Sequence, residues 1–429
     1  MKNAEVLSID LGSAYTKVAI RTGWGTSSTF VNDRNALPGD VQFCIPTVAT
    51  RIRKNGSDQW IAGFPAAAMR PGSDVLILEN WKAGLLGFPS ILPSELCRLA
   101  ATKFFEQLRE SLELTDYWEG VENIPVRVSV PALGDRRAVE RVVTGVLKDS
   151  GWNVASGRAT VYEPESNALG VLTRGVNATV VPPSLDFQRP LGRTPYLQEM
   201  LEPGLRRAFE KWETGEPYGV LVVDVGAFTT DFGYAVFDTS LWDDNWKAPK
   251  IEQASYPTGV RDLDAAVKEL LSPRVREVLE TSSTSDWEAR KAQLYGGEEV
   301  AFRDPKGGVL YVGSTSEKTK VKHEILSFAN NIAALQKKFE SSHDLEHIGA
   351  AILTGGGIMI DAVRDALAKA FKGGTTIRIH DLMDPQEPYK SLGKAGAPPH
   401  PADVAARLNL NHQLVRGGSA IGGCSVFFE

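Results

Sequence analysis

Two apolar runs, one in each half of the chain, end in an aspartate that is followed two residues later by a glycine. The first run leads to Asp10 and Gly12, and the second leads to Asp224 and Gly226. In both places another strand-like run begins within a few residues. A strand, a tight glycine turn and a returning strand form a β-hairpin. Two matching hairpins about half a chain apart therefore predict a duplicated protein with two lobes.

The segments between and after the hairpins alternate between strand and helix patterns. Val126–Pro131 and Ala159–Tyr162 predict strands, and a helix is predicted over Asp135–Asp149 with the aspartate as its N-cap. After the second hairpin, the run Ala350–Thr354 leads into three glycines and a predicted helix over Ile358–Phe371. This order of elements predicts an α/β fold.

Apolar residues at helical spacing predict two longer helices, over Arg98–Leu114 and His323–Glu340. Residues 172–217, which are rich in proline at first and then helix-like over 197–212, predict an insertion. Residues 384–401 are rich in proline and glycine and predict a surface loop.

The composition is that of an ordinary globular protein. The 429 residues are 42% hydrophobic and 23% charged, with a net charge of −6 and scattered lysines and arginines. This distribution argues against a nucleic-acid partner. The chain has neither a signal-peptide pattern nor the ~18 uninterrupted apolar residues of a membrane span. Three widely separated cysteines fit a reducing compartment, so we predict a cytoplasmic protein.

The hairpins and the three glycines offer the chemistry of a phosphate site. Glycine lets backbone N–H groups point at a phosphate. Aspartates at strand ends, here Asp10 and Asp224, can order the waters of Mg²⁺, which prefers carboxylate and phosphate oxygens. Gly355–Gly357 precede a helix N-terminus, which suits an α-phosphate or a ribose. Neither a dinucleotide-binding fingerprint nor a Walker A loop is present.

In this order, the three elements resemble the nucleotide site of the superfamily that unites actins, DnaK-type heat-shock chaperones and sugar kinases. Five further segments resemble chaperone motifs in the same order, namely Phe43–Ala49, Trp60–Ala68, Glu79–Gly87, Val128–Ala132 and Tyr162–Leu169. The resemblance implies an α/β, two-lobed actin-like ATPase fold, with duplicated ribonuclease-H-like lobes and a central nucleotide cleft. It looks closest to the chaperones' nucleotide-binding domain, without their peptide-binding domain.

The resemblance also implies bounds for the lobes. Lobe I is expected over residues 1–217, with an inner subdomain at 1–36 and 120–217 and an outer subdomain at 37–119. Lobe II is expected over 218–401, with an inner subdomain at 218–260 and 325–401 and an outer subdomain at 261–324. The C-terminal segment 402–429 is expected to return to lobe I.

The resemblance implies a role for each matching residue. Asp10 and Asp224 are expected to hold a hydrated Mg²⁺, with Asp231 as a further acidic residue near the metal. Lys82 matches a catalytic lysine that offsets charge on the γ-phosphate, and Glu163 matches a carboxylate that orients the attacking water. Asp224 is counted with these two as catalytic. The expected nucleotide contacts are Gly12, Ser13, Ala14, Tyr15, Lys17, Gly226, Ala227, Phe228, Thr229, Glu288, Lys291, Gly355, Gly356, Gly357 and Met359.

Two departures from the chaperone pattern bear on this chemistry. Ala227 and Phe228 replace two glycines after the second aspartate. If that turn needs a positive φ, Phe228 is expected to be strained and hydrolysis to be slow. Ala292 and Met359 stand where the chaperones sandwich adenine between arginines, so the base preference stays open.

The favoured hypothesis is a DnaK-like ATPase that consists of the nucleotide-binding body alone. It would change conformation with ATP or ADP and Mg²⁺ and act on a protein partner. The alternative is an actin-like ATPase that self-associates into filaments. A small-molecule kinase of the same fold and a non-hydrolysing nucleotide sensor, the latter motivated by Phe228, are the remaining hypotheses.

Overall fold

The computed structural model describes residues 6–21, 28–38, 43–112, 124–155, 159–168, 170, 217–237, 251–303, 308–343, 345, 348–371, 375–378 and 417–424. The predicted helical part of the insertion, 197–212, and the predicted loop 384–401 lie outside these residues.

The strands and helices below are numbered in chain order. The strands are β1 (Val6–Leu11), β2 (Tyr15–Arg21), β3 (Ser28–Phe30), β4 (Ile45–Pro46), β5 (Ala49–Lys54), β6 (Ser57–Ala62), β7 (Val75–Leu78), β8 (Val126–Val130), β9 (Thr160–Tyr162), β10 (Tyr218–Val225), β11 (Thr230–Phe237), β12 (Ile251–Tyr256), β13 (Val300–Arg303), β14 (Val309–Val312), β15 (Ile348–Thr354) and β16 (Thr375–Arg378). The helices are α1 (Phe64–Ala67), α2 (Trp81–Leu85), α3 (Ser94–Ser111), α4 (Arg136–Asp149), α5 (Val260–Leu270), α6 (Pro273–Glu280), α7 (Thr284–Tyr295), α8 (Thr315–Ser342) and α9 (Asp361–Ala370). Residues 163–168 and 417–424 are also helical.

Both lobes contain a sheet with the same strand order. In lobe I the order is β3-β2-β1-β8-β9, with β4 also paired to β2, and in lobe II it is β12-β11-β10-β15-β16. In each sheet the first strand of the hairpin is antiparallel to the second and parallel to a later strand. Antiparallel neighbours need only a short turn, whereas parallel neighbours need a longer crossover. The matching strand orders and directions agree with the duplication that the hairpin patterns predicted. The subdomain bounds stay a prediction.

Each sheet packs against its own hydrophobic core. Strand β1 is buried along its whole length, as expected for a central strand that is covered on both faces. In α3 the buried residues recur every three or four positions, which gives the helix one apolar face. Trp81 packs on Phe104 of that face with ring centroids 5.4 Å apart. This contact anchors α2, and with it the neighbouring Lys82.

The predicted helices that fall within the described residues are present, with one correction. Helix α4 begins after Asp135, whose carboxylate accepts a hydrogen bond from the Arg137 N–H. The helix predicted over Ile358–Phe371 is instead a 3-10 helix, Gly356–Met359, followed by α9. The two are separated by Ile360, whose backbone is extended. Arg364 donates a hydrogen bond to the Ile358 carbonyl oxygen (2.8 Å), which satisfies an acceptor exposed by the break.

The described residues also include two smaller sheets and the helical segment 417–424. Strands β5, β6 and β7 form a three-stranded sheet, and β13 and β14 form a hairpin. Helix 417–424 packs Ala420, Ile421 and Cys424 against Val6 and Ala19 of lobe I. Within the described part of the chain, none of the helices has the length and apolar character required to cross a membrane.

Candidate functional site

The two hairpins have the same register at their turns. Asp10 pairs with Lys17 across β1 and β2, and Asp224 pairs with Asp231 across β10 and β11. Each of the two aspartates is the last residue but one of its strand. Lys17 Nζ donates to Asp10 Oδ2 at 2.9 Å. Lobe I therefore supplies an ammonium group at the position where lobe II supplies a second carboxylate.

A cavity of about 850 Å³ is lined by both hairpin turns. Pockets for small molecules are typically about 300–1,000 Å³, so this one is large enough for such a ligand. The predicted site residues that line it are Asp10, Gly12, Ser13, Ala14, Tyr15, Lys17, Lys82, Glu163, Asp224, Gly226, Ala227, Phe228, Thr229, Asp231, Glu288, Lys291, Gly355, Gly356 and Met359. Gly357 does not line the cavity, because it is buried against Val225.

A buried ion pair forms part of the cavity wall. Lys82 Nζ donates to Glu163 Oε1 at 2.5 Å. Lys82 comes from α2, and Glu163 begins the helical residues 163–168 after β9. The fold therefore brings together an ammonium and a carboxylate that are 81 residues apart in the sequence.

Burial disfavours the ionised form of three carboxyl groups in the cavity. It raises the pKa of Asp224 to about 7, with a further contribution from the charge of Asp10. It also raises the pKa of Asp231 to about 7, with a further contribution from Asp224. Burial raises the pKa of Glu163 to about 8, although the ammonium of Lys82 acts in the opposite direction. The cost of desolvation is therefore larger than the attraction of the nearby cation.

The balance of charges suits a divalent cation. Asp10 is paired with Lys17, and Glu163 is paired with Lys82. Among the described residues, Asp224 and Asp231 form no salt bridge, so neither carboxylate is directly paired with a cation. The described residues include no group of three His, Cys, Asp or Glu side chains placed to coordinate a metal. Carboxylate oxygens are a ligand type that Mg²⁺ accepts, and Asp224 and Asp231 are the side chains of this cavity that could hold such an ion.

Helix α7 contributes a second polar cluster to the cavity. Lys291 Nζ donates to Asp264 Oδ2 at 3.0 Å and to Glu288 Oε1 at 2.8 Å. Tyr295 donates its hydroxyl to Asp264 Oδ1 at 2.6 Å. Burial alone would lower the pKa of Lys291, but the two carboxylates outweigh it and raise that pKa. The cluster fixes Glu288 and Lys291 as a pair, with the ammonium charged.

The glycine turn after β15 comes very close to the second hairpin. Gly355 has a φ of 87°, which glycine adopts without a steric penalty. A Cβ atom on Gly355 would lie 2.1 Å from Asp224 Oδ1. A glycine is therefore required at this position for the turn and the aspartate to meet.

Phe228 does not have the strained backbone that the chaperone pattern led us to expect. Among the described non-glycine residues, positive φ values occur at Asn55 and Asn80 alone. The ring of Phe228 instead lies beside the ring of Phe88 from lobe I, with centroids 5.9 Å apart. Backbone strain at Phe228 therefore gives no reason to expect slow hydrolysis.

Three residues at the contact between the lobes were not predicted from the sequence. Asn167 donates from Nδ2 to Asp224 Oδ2 at 2.6 Å. Arg261 donates from Nη2 to the Ser13 carbonyl oxygen at 2.6 Å. Ser255 donates from Oγ to Asp231 Oδ1. Asn167 lies in the chaperone-like segment Tyr162–Leu169, which could have drawn attention to it. Ser255 and Arg261 carry no local signal, because the folding of distant segments brings them to the site.

A comparison with solved structures identifies the fold. The crystal structure of MreB 5 of Spiroplasma citri bound to AMPPNP is similar over 92% of this chain and 98% of that chain, with a TM-score of 0.53 and 15% sequence identity. The chain has the actin-like fold. The predicted α/β, two-lobed architecture with a central cleft is thereby confirmed, whereas a specific closeness to DnaK-type chaperones is not. No protein-family model and no curated protein matches the chain.

Proposed function

We propose that this protein is an actin-like ATPase, which binds ATP with Mg²⁺ in the cavity between its lobes and hydrolyses it. One observation carries the proposal: both hairpin turns, the Lys82–Glu163 pair and the carboxylates Asp224 and Asp231 line a single cavity. The similar MreB structure is bound to AMPPNP, an analogue of ATP, which supports the same class of ligand here.

The proposed contacts follow from the positions of the turns. The backbone N–H groups of the turns at 12–15 and 227–229 bind the phosphates. Glu288 and Lys291 contact the ribose, and Gly355 and Gly356 allow the nucleoside to lie against the backbone. Asp10, Asp224 and Asp231 hold the hydrated Mg²⁺. The metal, when bound, neutralises phosphate charge and helps to orient the triphosphate.

The Lys82–Glu163 pair provides the proposed catalytic groups. The ammonium of Lys82 stabilises negative charge on the γ-phosphate. Glu163 orients the attacking water and accepts its proton. Burial raises its pKa from the usual range of a carboxyl group towards physiological pH, the range in which a general base is most effective.

Calorimetry and hydrolysis assays test the proposal. We expect wild-type protein to bind MgATP and to hydrolyse it. We expect Lys82→Ala and Glu163→Gln to lower the turnover rate by about a hundredfold or more, the usual effect of removing such groups. Lys54→Ala, which removes an exposed lysine of lobe I, is the matched control and should hydrolyse ATP at the wild-type rate.

Two outcomes would change this interpretation. Failure to detect MgATP binding at high protein concentration would overturn the proposal as a whole. Tight binding with equal, near-zero hydrolysis by wild type and both variants would instead favour the non-hydrolysing sensor.

For the output of ATP binding, we propose self-association into filaments. The similarity to an MreB supports this actin-like alternative over the DnaK-like reading that the sequence motifs favoured. Light scattering and electron microscopy with ATP, ADP or no nucleotide test it, and ATP-dependent filaments are expected. Hydrolysis by particles that stay monomeric would favour the chaperone-like switch.

A further inference from the structure

Asp224 and Asp231, the two carboxylates of lobe II at the candidate metal site, are connected to lobe I by hydrogen bonds. Asn167 of lobe I donates from Nδ2 to Asp224 Oδ2 at 2.6 Å, and its side chain is buried. Ser255 of lobe II donates from Oγ to Asp231 Oδ1. The same Oγ accepts a hydrogen bond from the Ala132 N–H of lobe I at 2.8 Å. One connection is therefore direct, and the other passes through a single hydroxyl group.

The arrangement around Ser255 fixes the direction of its hydrogen bond. A serine hydroxyl has one hydrogen to donate, and the Ala132 N–H already occupies an acceptor position on the oxygen. The remaining hydrogen is thus directed to Asp231, which lies opposite Ser255 in the register of β11 and β12. Thr229 Oγ1 donates to the second carboxylate oxygen, Oδ2, at 2.8 Å. Both oxygens of Asp231 are therefore held by hydrogen bonds.

Asn167 lies where the two lobes are in close contact. A Cβ atom on Gly233 of β11 would lie 2.6 Å from the carbonyl oxygen of Pro164. The helical residues 163–168 of lobe I therefore lie directly on a strand of lobe II. The Cβ atom of Ala168, the residue after Asn167, would lie 3.3 Å from the same Cβ atom on Gly233, so the close contact extends along the segment to the neighbour of Asn167.

The donors at these two carboxylates are neutral. Asp10 and Glu163 are each held by a lysine, whereas Asp224 accepts from a carboxamide and Asp231 accepts from two hydroxyls. A neutral donor orients a carboxylate but leaves its negative charge in place. Asn167 and Ser255 do not line the cavity, so any effect they have on a ligand acts through the carboxylates.

We propose that Asn167 and Ser255 are positioning residues, which hold Asp224 and Asp231 for the metal of the bound nucleotide and complete the metal site only when the lobes are in contact. The inference rests on the proposed function and extends it, because it names the residues that link metal binding to closure of the lobes.

The test compares the affinity for ATP with Mg²⁺ and in excess EDTA, measured by calorimetry. For Asn167→Ala and Ser255→Ala, we expect the gain in affinity caused by Mg²⁺ to fall by about tenfold, which corresponds to about 1.4 kcal/mol, because each variant loses a hydrogen bond to a charged group. The affinity in EDTA should stay within about twofold of wild type, because neither residue touches the nucleotide.

Matched variants separate positioning from general damage. Ser255→Thr keeps the hydroxyl and should restore the gain caused by Mg²⁺. Ser282→Ala and Asn331→Ala remove the same two kinds of side chain elsewhere in lobe II and should behave as wild type.

The outcomes distinguish this inference from the proposed function. If Mg²⁺ does not improve ATP binding by wild-type protein, the proposed function fails and the inference fails with it. If wild type shows the gain and both alanine variants keep it, the positioning role alone is wrong. An equal loss of affinity with Mg²⁺ and in EDTA would indicate a structural role and would also overturn the inference. If Asn167→Ala does not fold, the test uses the Ser255 variants alone. The inference then requires that Ser255→Ala lowers the gain in ATP affinity caused by Mg²⁺ and that Ser255→Thr keeps it.

Discussion

Phe228 shows how one side chain can take on a different role from the glycine it replaces. A glycine in a phosphate turn gives backbone freedom, and the same position here has no positive φ. The side chain instead reaches Phe88 of lobe I. Because Phe228 belongs to the turn between β10 and β11, this aromatic pair connects the lobes beside the proposed phosphate site.

We predict that Phe88→Ala speeds the release of bound nucleotide. An aromatic pair contributes about 0.5–1.5 kcal/mol beyond its buried area, which corresponds to roughly a twofold to tenfold change in rate if the contact breaks when the lobes open. Displacement of a fluorescent ATP analogue in a stopped-flow instrument measures the rate. Phe88→Tyr keeps the ring and should release at the wild-type rate. An unchanged rate in Phe88→Ala would show that the pair does not resist opening.

At the scale of elements, the N-terminus of α5 supports the second phosphate turn. The N–H of Val260 donates to the Gly226 carbonyl oxygen at 3.0 Å, and the N–H of Arg261 donates to the Ala227 carbonyl oxygen at 2.9 Å. The first N–H groups of a helix lack partners within the helix and often bind an anion. Here they hold the turn instead, so the position of the turn depends on how closely α5 packs against it.

We predict that Gly259→Ala disturbs this packing. Gly259 has an extended backbone that any residue adopts, but a Cβ atom would lie 2.5 Å from the carbonyl carbon of Ala227 and 2.7 Å from the Phe228 nitrogen. Backbone atoms must then shift, and we expect a loss of about 1–3 kcal/mol of stability together with weaker ATP binding. Thermal denaturation and ATP titration measure the two effects. Gly72→Ala, where a Cβ meets no atom within 4 Å, is the control; equal behaviour of both variants would contradict the prediction.

Local patterns predicted the elements better than they predicted the contacts between them. The hairpins and α4, with its Asp135 cap, follow from residues that are adjacent in the sequence. The break at Ile360 was not predicted. It is supported by a hydrogen bond from the Arg364 side chain to the Ile358 carbonyl oxygen, and the helical pattern of the sequence does not reveal that contact. Asn167 and Ser255 were missed because their partners lie 57 and 24 residues away.

At the scale of the whole molecule, closing the two lobes concentrates negative charge in the cleft. Asp10 and Glu163 come from lobe I, and Asp224 and Asp231 come from lobe II. Carboxylates of the opposite lobe add to the effect of burial on the pKa of Glu163 and Asp224, whereas the charge of Asp224 adds to it for Asp231. The empty protein therefore carries an electrostatic cost in this cleft that a bound cation would relieve.

The sign of the resulting pH dependence follows from proton binding. Unfolded Asp and Glu residues have a pKa of roughly 4, whereas these three groups have values of about 7 to 8 in the folded protein. Between these values the folded state binds more protons than the unfolded state, so their contribution to stability falls as the pH rises. Below roughly pH 4 both states are protonated, and the penalty is absent.

We therefore predict that the protein without nucleotide, in EDTA, has a lower melting temperature at pH 8 than at pH 6, and that MgATP reduces the difference.

Asp231→Asn removes one of the charges, so it should raise the melting temperature at pH 8 and have a smaller effect at pH 5, where the carboxyl group of the wild type is already neutral. Asp74→Asn, at an exposed position of lobe I, controls for the change in net charge and should leave the slope unchanged. Differential scanning calorimetry measures each value. The prediction is wrong if the melting temperature of the empty wild type does not fall as the pH rises from 6 to 8. It is also wrong if Asp231→Asn does not reduce the dependence of the melting temperature on pH. Either result would show that repulsion between these carboxylates destabilises the folded protein less than their burial implies. Because only the empty protein enters the first comparison, the result bears on the electrostatics of the fold whether or not the protein hydrolyses ATP.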